Sequence, residues 1–337
     1  MAATMQDVSV LAGVSVKTVS NVINDHPHVR EQTRRKVLDA IDVLGYRPNF
    51  LARGLRSGRT NVISLMIPNL RNAYFAELAD AVMMAASERG LAVLIEQYGL
   101  DRGQEIGALR HPHAQTVDGV LHSVLALDQS DVDLLAELGT PVVLLGDRNV
   151  DVPRDHVIIA NTEGVRAATE HLLSSGRRRI VAFGAHPAAV VGSAALRLEG
   201  YRQALDAAGL PFDETLVVPV DPWHRRNGAD AMRELLATGM RFDGVVAFND
   251  AIALGALRAL QEAGRRVPED VAVIGFDDIE ETEYSIPSLS TIDPDRERIA
   301  RTAVDLLVRR IEHPDEPFVP ERLPMPFRLV ERESTAS

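Results

Sequence analysis

Two hydrophobic periodicities divide the chain near residue 60. Before that point apolar side chains recur at helical spacing in three short runs. Thr4-Met5-Gln6-Asp7 reads as a helix start, with Thr4 capping and Asp7 reaching back. This helix presents Val8, Leu11 and Ala12 on one face and breaks at Gly13. Ser15 caps a second short helix, whose Val19 and Val22, with Val14, turn toward a small core. A third helix, about 31–44, carries Val37, Leu38, Ile41 and Leu44 on its apolar face. After Gly45-Tyr46-Arg47-Pro48-Asn49, residues 50–57 have the pattern of one more short helix. Gly54 and Gly58 weaken it by about 1 kcal/mol each relative to alanine. A helix that short is unstable alone and folds only when something holds it.

From Asn61 onward, short apolar runs alternate with helical stretches. Residues 62–67, 91–97, 117–123 and 142–145 read as buried parallel strands, with helices near 75–89, 103–110 and 130–138. A second series has strands at 180–183, 216–220, 244–248 and 271–276, with helices near 162–175, 195–208, 228–237 and 250–263. Alternating β and α elements imply parallel sheets with helices on both faces. Two series imply two lobes with a cleft at the carboxyl ends of the strands, where such folds bind ligands.

Composition narrows the classes. The 337 residues, 46% of them hydrophobic, suffice for two or three domains with sizeable cores. With no cysteine, disulfide scaffolds, thiolate zinc sites and cysteine nucleophiles are excluded. Residues 1–10 lack a secretory signal, and no apolar run approaches the roughly 18–20 residues of a membrane span, so the expectation is a cytoplasmic chain. The net charge of −12 is unevenly spread: residues 1–60 hold nine Lys/Arg against five Asp/Glu, a net of +4, which leaves −16 for the rest. A basic head on an acidic body suits an electrostatic footprint for nucleic acid at one end only.

Helix, a short turn containing Gly, then helix is the helix-turn-helix arrangement. Val16, Lys17 and Asn21 project outward near the start of the second helix, where base edges in a major groove are reached. Asn pairs bidentately with adenine and Lys with guanine acceptors. Ser15, Thr18 and Ser20 read as caps or phosphate contacts.

Several separated motifs then carry a resemblance. Met5-Gln6-Asp7-Val8 is followed by Ala12-Gly13-Val14-Ser15-Val16-Lys17-Thr18-Val19-Ser20-Asn21-Val22-Ile23-Asn24. Beyond these come Leu44-Gly45-Tyr46-Arg47-Pro48-Asn49 and Leu51-Ala52-Arg53-Gly54-Leu55-Arg56-Ser57-Gly58-Arg59-Thr60. Together they resemble the head and hinge of the lactose-repressor/galactose-repressor family, over nearly the whole chain. The resemblance implies hinge helices that pair between subunits and enter the minor groove, with Leu55 as the wedge and Arg53 and Arg56 beside it. Arg30 departs from the family's frequent capping Ser and is read as a phosphate contact.

For the body the resemblance implies a periplasmic-binding-protein-like fold. The fold class expected is therefore a small all-α helix-turn-helix head plus an α/β body of two doubly wound parallel-sheet lobes. The expected division is a head at 1–48, a hinge at 49–60 and a ligand-binding and dimerisation domain at 61–337. Three crossings would split that domain into 61–161 with 293–320 and 162–292 with 321–337. Candidate ligand contacts are Tyr74, Phe75, Asp147, Asn161, Arg197, Trp223, Asn249 and Asp277. A guanidinium fork suits sugar hydroxyls or carboxylates, an indole stacks on a ring, and amide and carboxylate ends fix hydroxyls. Competing readings stay open: Trp223 as a surface anchor, Arg197 as an ion-pair partner of Glu199, and Asn249 and Asp250 as helix caps, with Asp250 the expected cap. Asn161 stands where many relatives carry an acid, so ligand charge is not set.

Catalytic signatures are missing: the chain has no G-x-S-x-G, no G-x-x-x-x-G-K-[ST], no G-x-G-x-x-G and no H-E-x-x-H. His26-Pro27-His28 and His111-Pro112-His113 lack an obvious third ligand and read as surface loops, so neither metal nor cofactor is expected. The expectation is a homodimeric repressor on a pseudo-palindromic DNA operator, controlled by a carbohydrate-like small molecule, with a tetramer left open. Control by a protein partner is the alternative; a sugar-binding protein or sugar-processing enzyme ranks below it.

Overall fold

The computed structural model describes residues 3–23, 26–46, 59–110, 116–146, 152–185 and 192–336. The chain forms two compact units, Met1–Thr60 and Asn61–Ser337.

The first unit holds α1 (Met5–Ala12), α2 (Val16–Ile23) and α3 (Glu31–Leu44). Thr4 and Asp7 close the expected capping box on α1, and Gly13 ends that helix at φ 65, a left-handed conformation that favours glycine. Ser15 Oγ accepts the Thr18 N–H at 3.1 Å and so caps α2. Val8, Val19, Val22, Val37, Ala40 and Tyr46 make the small core. Two expected core positions are corrected: Leu11 and Leu38 are exposed. The apolar face of α3 runs through Val37, Ala40, Ile41 and Leu44, which turns Leu38 outward.

The second unit has two lobes. In the first, β1 (Val62–Ile67), β2 (Ala92–Gln97), β3 (Gly119–Ser123), β4 (Val142–Leu145), β5 (Asp155–Ile158) and β11 (Arg322–Pro324) form one parallel sheet in the order β11-β5-β4-β3-β1-β2. Helices α4 (Ala73–Glu88), α5 (Arg102–Leu109), α6 (Val132–Glu137) and α12 (Arg296–Glu312) cover it, α12 lying against α4 and β3–β5. In the second, β6 (Ile180–Ala185), β7 (Val217–Pro219), β8 (Gly244–Ala247) and β9 (Ala272–Ile274) pair as β7-β6-β8-β9. They are flanked by α7 (Asn161–Ser174), α8 (Ser193–Ala207), α9 (Arg225–Ala237), α10 (Asp250–Glu262) and the short α11 (Glu281–Tyr284).

The strands β10 (Thr291–Asp293) and β12 (Arg328–Val330) pair antiparallel beside the second sheet, with Gly275 N donating to Ser290 O at 2.9 Å. The expected boundary at 321 is therefore displaced. Residues 322–324 pair with β5 in the first lobe, and the chain returns to the second lobe only after Pro324. The inner strands β1, β4, β6 and β8, and β9 beside them, bury nearly continuous apolar runs, as parallel strands covered on both faces require.

Candidate functional site

On the helix-turn-helix, Lys17 is exposed, and Val16 and Asn21 are half-buried beside it on α2. Ser15 and Thr18 are engaged with each other, their hydroxyls 2.9 Å apart. Ser20 is half-buried on the same helix. Arg30 precedes α3 without a side-chain cap bond and is exposed. Arg53, Leu55 and Arg56 lie outside the described residues, as do Asp147, His111 and His113. His26 and His28 are exposed in the loop before α3.

In the second unit one candidate, Arg197, gathers three others around it. Arg197 on α8 is only 4% exposed, so its charge must be met inside the protein. Its Nε donates to Asn161 Oδ1 at 2.5 Å, and its Nη1 donates to the carbonyl of Phe248. The guanidinium carbon stands 3.7 Å from the Phe276 ring centre and 5.3 Å from that of Trp223. Its Nη2 lies 3.8 Å from Asp277 Oδ1, within ion-pair range but too long for a hydrogen bond. The sequence-level alternative of a surface pair with Glu199 is thereby corrected. Trp223 is no bare surface anchor either, because its Nε1 donates to Gly184 O at 2.9 Å.

Asn249 begins α10 and caps it: Oδ1 accepts the Ile252 N–H at 2.9 Å. The expectation that Asp250 does so is corrected. The Asp250 carboxylate instead accepts from Thr291 Oγ1 at 2.6 Å and from Ile279 N at 3.1 Å. It thus pins the loop that follows β9, and Gly275 is required there because a Cβ would meet Asp250 Oδ1 at 2.0 Å. Burial pushes the Asp250 carboxyl up to about 7, against those two hydrogen bonds. Asp277, on the pinned loop, has φ 121, a backbone region that non-glycine residues rarely adopt. Among the described residues the buried Asn249 Nδ2 has no hydrogen-bond partner.

Tyr74 and Phe75 open α4 on the first lobe, Tyr74 buried in its core and Phe75 half-buried, their rings 5.2 Å apart. No contact joins them to the Arg197 cluster among those described. Two features that sequence reasoning missed bring the lobes together. Asn69 Nδ2 lies 3.3 Å from His224 Nε2, and burial, reinforced by Arg71, lowers the His224 pKa. Arg296 and Glu77 reach across to the loop after β9. A third missed feature shapes the first-lobe rim: buried Glu105 accepts from His122 Nε2 at 2.9 Å and from the N–H groups of Leu125 and Ala126 at 3.0 and 2.6 Å.

A helix-turn-helix unit followed by a two-lobed α/β body with a polar cluster at the carboxyl ends of its strands defines a ligand-responsive class of DNA-binding regulator. Residues 4–49 match the lacI family of bacterial regulatory proteins, and residues 169–335 match a periplasmic binding protein-like domain. The chain is 39% identical to the HTH-type transcriptional regulator CelR of Thermobifida fusca, over 98% of each chain. It is similar to the solved CelR–cellobiose complex, with 36% identity, a TM-score of 0.71 and coverage of 98% and 99%. It is also similar to the lac repressor dimer bound to operator and the anti-inducer ONPF, at 29% identity, TM-score 0.83 and full coverage of both chains. The chain belongs to the LacI family and is a transcription regulator, not an enzyme. Among the described residues no helix is long and apolar enough to cross a membrane.

Proposed function

We propose that this regulator is a cytoplasmic homodimeric repressor that binds a pseudo-palindromic operator and is controlled by a carbohydrate in the cleft of its second unit. The observation that carries the effector reading is the buried Arg197 cluster; next in sequence to its Phe248 acceptor, Asn249 Nδ2 has no partner among the described residues. A buried donor without a partner costs about 1–3 kcal/mol, which a ligand oxygen recovers. A hydroxyl placed between Arg197 Nη2 and Asp277 accepts from the first and donates to the second, bridging their 3.8 Å gap. Half-buried Trp223 supplies an apolar face for a sugar ring, while buried Phe276 backs the Arg197 guanidinium. The CelR–cellobiose complex makes cellobiose the first probe.

In the head, Val16, Lys17 and Asn21 read base edges, while Ser15, Thr18, Ser20 and Arg30 meet phosphate. Leu55, with Arg53 and Arg56, is the minor-groove wedge that the family resemblance implies. Apolar side chains left exposed on α4 (Met83 and Met84) and beyond α11 (Ile286) offer surface to a second copy, as the dimeric lac repressor complex suggests.

The test is selection of bound sequences from random duplex DNA by the purified protein, with and without cellobiose. An enriched pseudo-palindrome whose retention changes with the sugar is expected. Enrichment that no sugar alters would remove the effector reading, and no enrichment under any condition would remove the operator reading. Lys17→Ala is expected to relax preference at particular bases by about 1–3 kcal/mol; a uniform loss across sequences would make Lys17 a phosphate contact.

A further inference from the structure

Arg296 opens α12 in the first lobe, yet its guanidinium serves the second. Nη1 donates to the carbonyl of Asp277, and Nη2 donates to the carbonyl of Asp278 at 2.8 Å. The same Nη2 meets Glu77 Oε2 at 2.5 Å. Glu77, on α4 of the first lobe, accepts the Glu280 N–H at 3.0 Å through its other oxygen. Two side chains from separate first-lobe helices thus grip three backbone groups within four residues of a second-lobe loop. The pair is only partly solvated, with 16% of the Arg296 side chain and 29% of the Glu77 side chain exposed, so water screens it less than an ordinary surface bridge.

The gripped loop is the one that carries Asp277. At φ 121 its backbone is strained, and such a conformation persists only when its surroundings over-determine it. Asp250 holds the far side of the loop through Ile279 N, from within the second lobe. Within the second lobe the Asp277 N–H also donates to Ile292 O at 2.9 Å, and Arg332 Nη2 donates to Asp278 Oδ1 at 2.7 Å. Arg296 adds a hold on the Asp277 and Asp278 carbonyls from the opposite lobe. Glu77 holds that guanidinium in place, and only a planar fork reaches two carbonyls and a carboxylate together.

We propose that Arg296, oriented by Glu77, is a positioning residue of the cleft, whose hold on the Asp277 and Asp278 carbonyls ties the Asp277 loop to the first lobe and so favours the closed cleft. The inference rests on reading the cleft as the effector site, but its test does not depend on which sugar binds. The chain has one tryptophan, so fluorescence reports on Trp223 alone. Trp223 adjoins His224, which meets Asn69 across the cleft, so opening the lobes uncovers it.

In the full chain, acrylamide quenching of Trp223 is compared between the wild type, Arg296→Met, Arg296→Lys and Glu77→Gln. Arg296→Met is expected to raise the quenching constant about two-fold by shifting the population toward the open cleft. Glu77→Gln should raise it less, and Arg296→Lys should fall between the wild type and Arg296→Met. A merely structural arginine would lower the melting temperature without ordering the quenching constants in this way. Equal quenching in the wild type and Glu77→Gln, which keeps volume and one acceptor, overturns the proposal even where Arg296→Met does not fold. A parallel cellobiose titration of the wild type separates the two readings. Absence of sugar binding counts against the effector class, while the quenching series still decides the role of Arg296.

Discussion

At Asn249 the amide oxygen already accepts the Ile252 N–H, and the buried Nδ2 is left without a partner among the described residues. These two halves are separable by mutation. Asn249→Ser keeps a capping oxygen and removes the amide donor without adding a buried charge, so the cap should be kept while sugar affinity falls at least tenfold, about 1.4 kcal/mol. Asn249→Ala loses the cap as well, and its unfolding free energy should drop by about 1 kcal/mol. Denaturant melts paired with cellobiose titrations check both; equal sugar affinity in the wild type and Asn249→Ser would show that the donor faces no ligand. The cluster members Arg197, Trp223, Asn249 and Asp277 were legible in the sequence because each brings distinctive chemistry to the end of a strand or a nearby helix. Phe276 and Arg296 were not, because their roles depend on a ring under a guanidinium and on backbone carbonyls. Neither leaves a pattern in residue types.

Elements were legible where apolar runs are unbroken and hidden where charge interrupts them. Strands β1 and β4 fall at 62–67 and 142–145, as their Val/Ile/Leu runs predict. Strand β5 was missed because Asp155 and His156 occupy half of it; both are buried, Asp155 held by the Arg310 fork at 2.8 and 3.0 Å. The helix α12 hides its apolar stripe, Ile299, Ala303 and Leu307, among charged residues. Burial of another acid governs the joint between β9 and α10. The Asp250 pKa rises to about 7 in the folded protein, so between about pH 4 and 7 the folded state keeps a proton that the unfolded chain has released. Stability from this group therefore falls as pH rises through that window. The burial that lifts the Glu77 carboxyl acts in the same direction. Thermal melts should show greater stability at pH 5.5 than at pH 8, with Asp250 contributing on the order of a few kcal/mol. Asp250→Asn, which never ionises, should flatten that part of the profile; an unchanged profile would mean that other groups set it.

Across the whole molecule, charge and core size divide in the same place. Residues 1–60 carry the basic excess and, among the described residues, a core of six buried apolar side chains, whereas the acidic body buries two lobes of Val, Ile and Leu. A unit of about 60 residues buries a smaller share of its surface and is correspondingly marginal. Calorimetry of the full chain should therefore show a head transition below that of the body. A ligand that binds only the folded state stabilises the unit that holds it, by about 2.7 kcal/mol when present at about a hundred times its dissociation constant. Cellobiose at that excess should raise the body transition and leave the head transition in place, whereas duplex DNA carrying the selected operator should raise the head transition. Counterion release makes the second shift shrink steeply with salt, while the shift caused by a neutral sugar is nearly salt-independent. A head transition that moves with cellobiose in the absence of DNA would mean that the two units unfold as one. A body transition indifferent to every sugar would remove the cleft as a carbohydrate site.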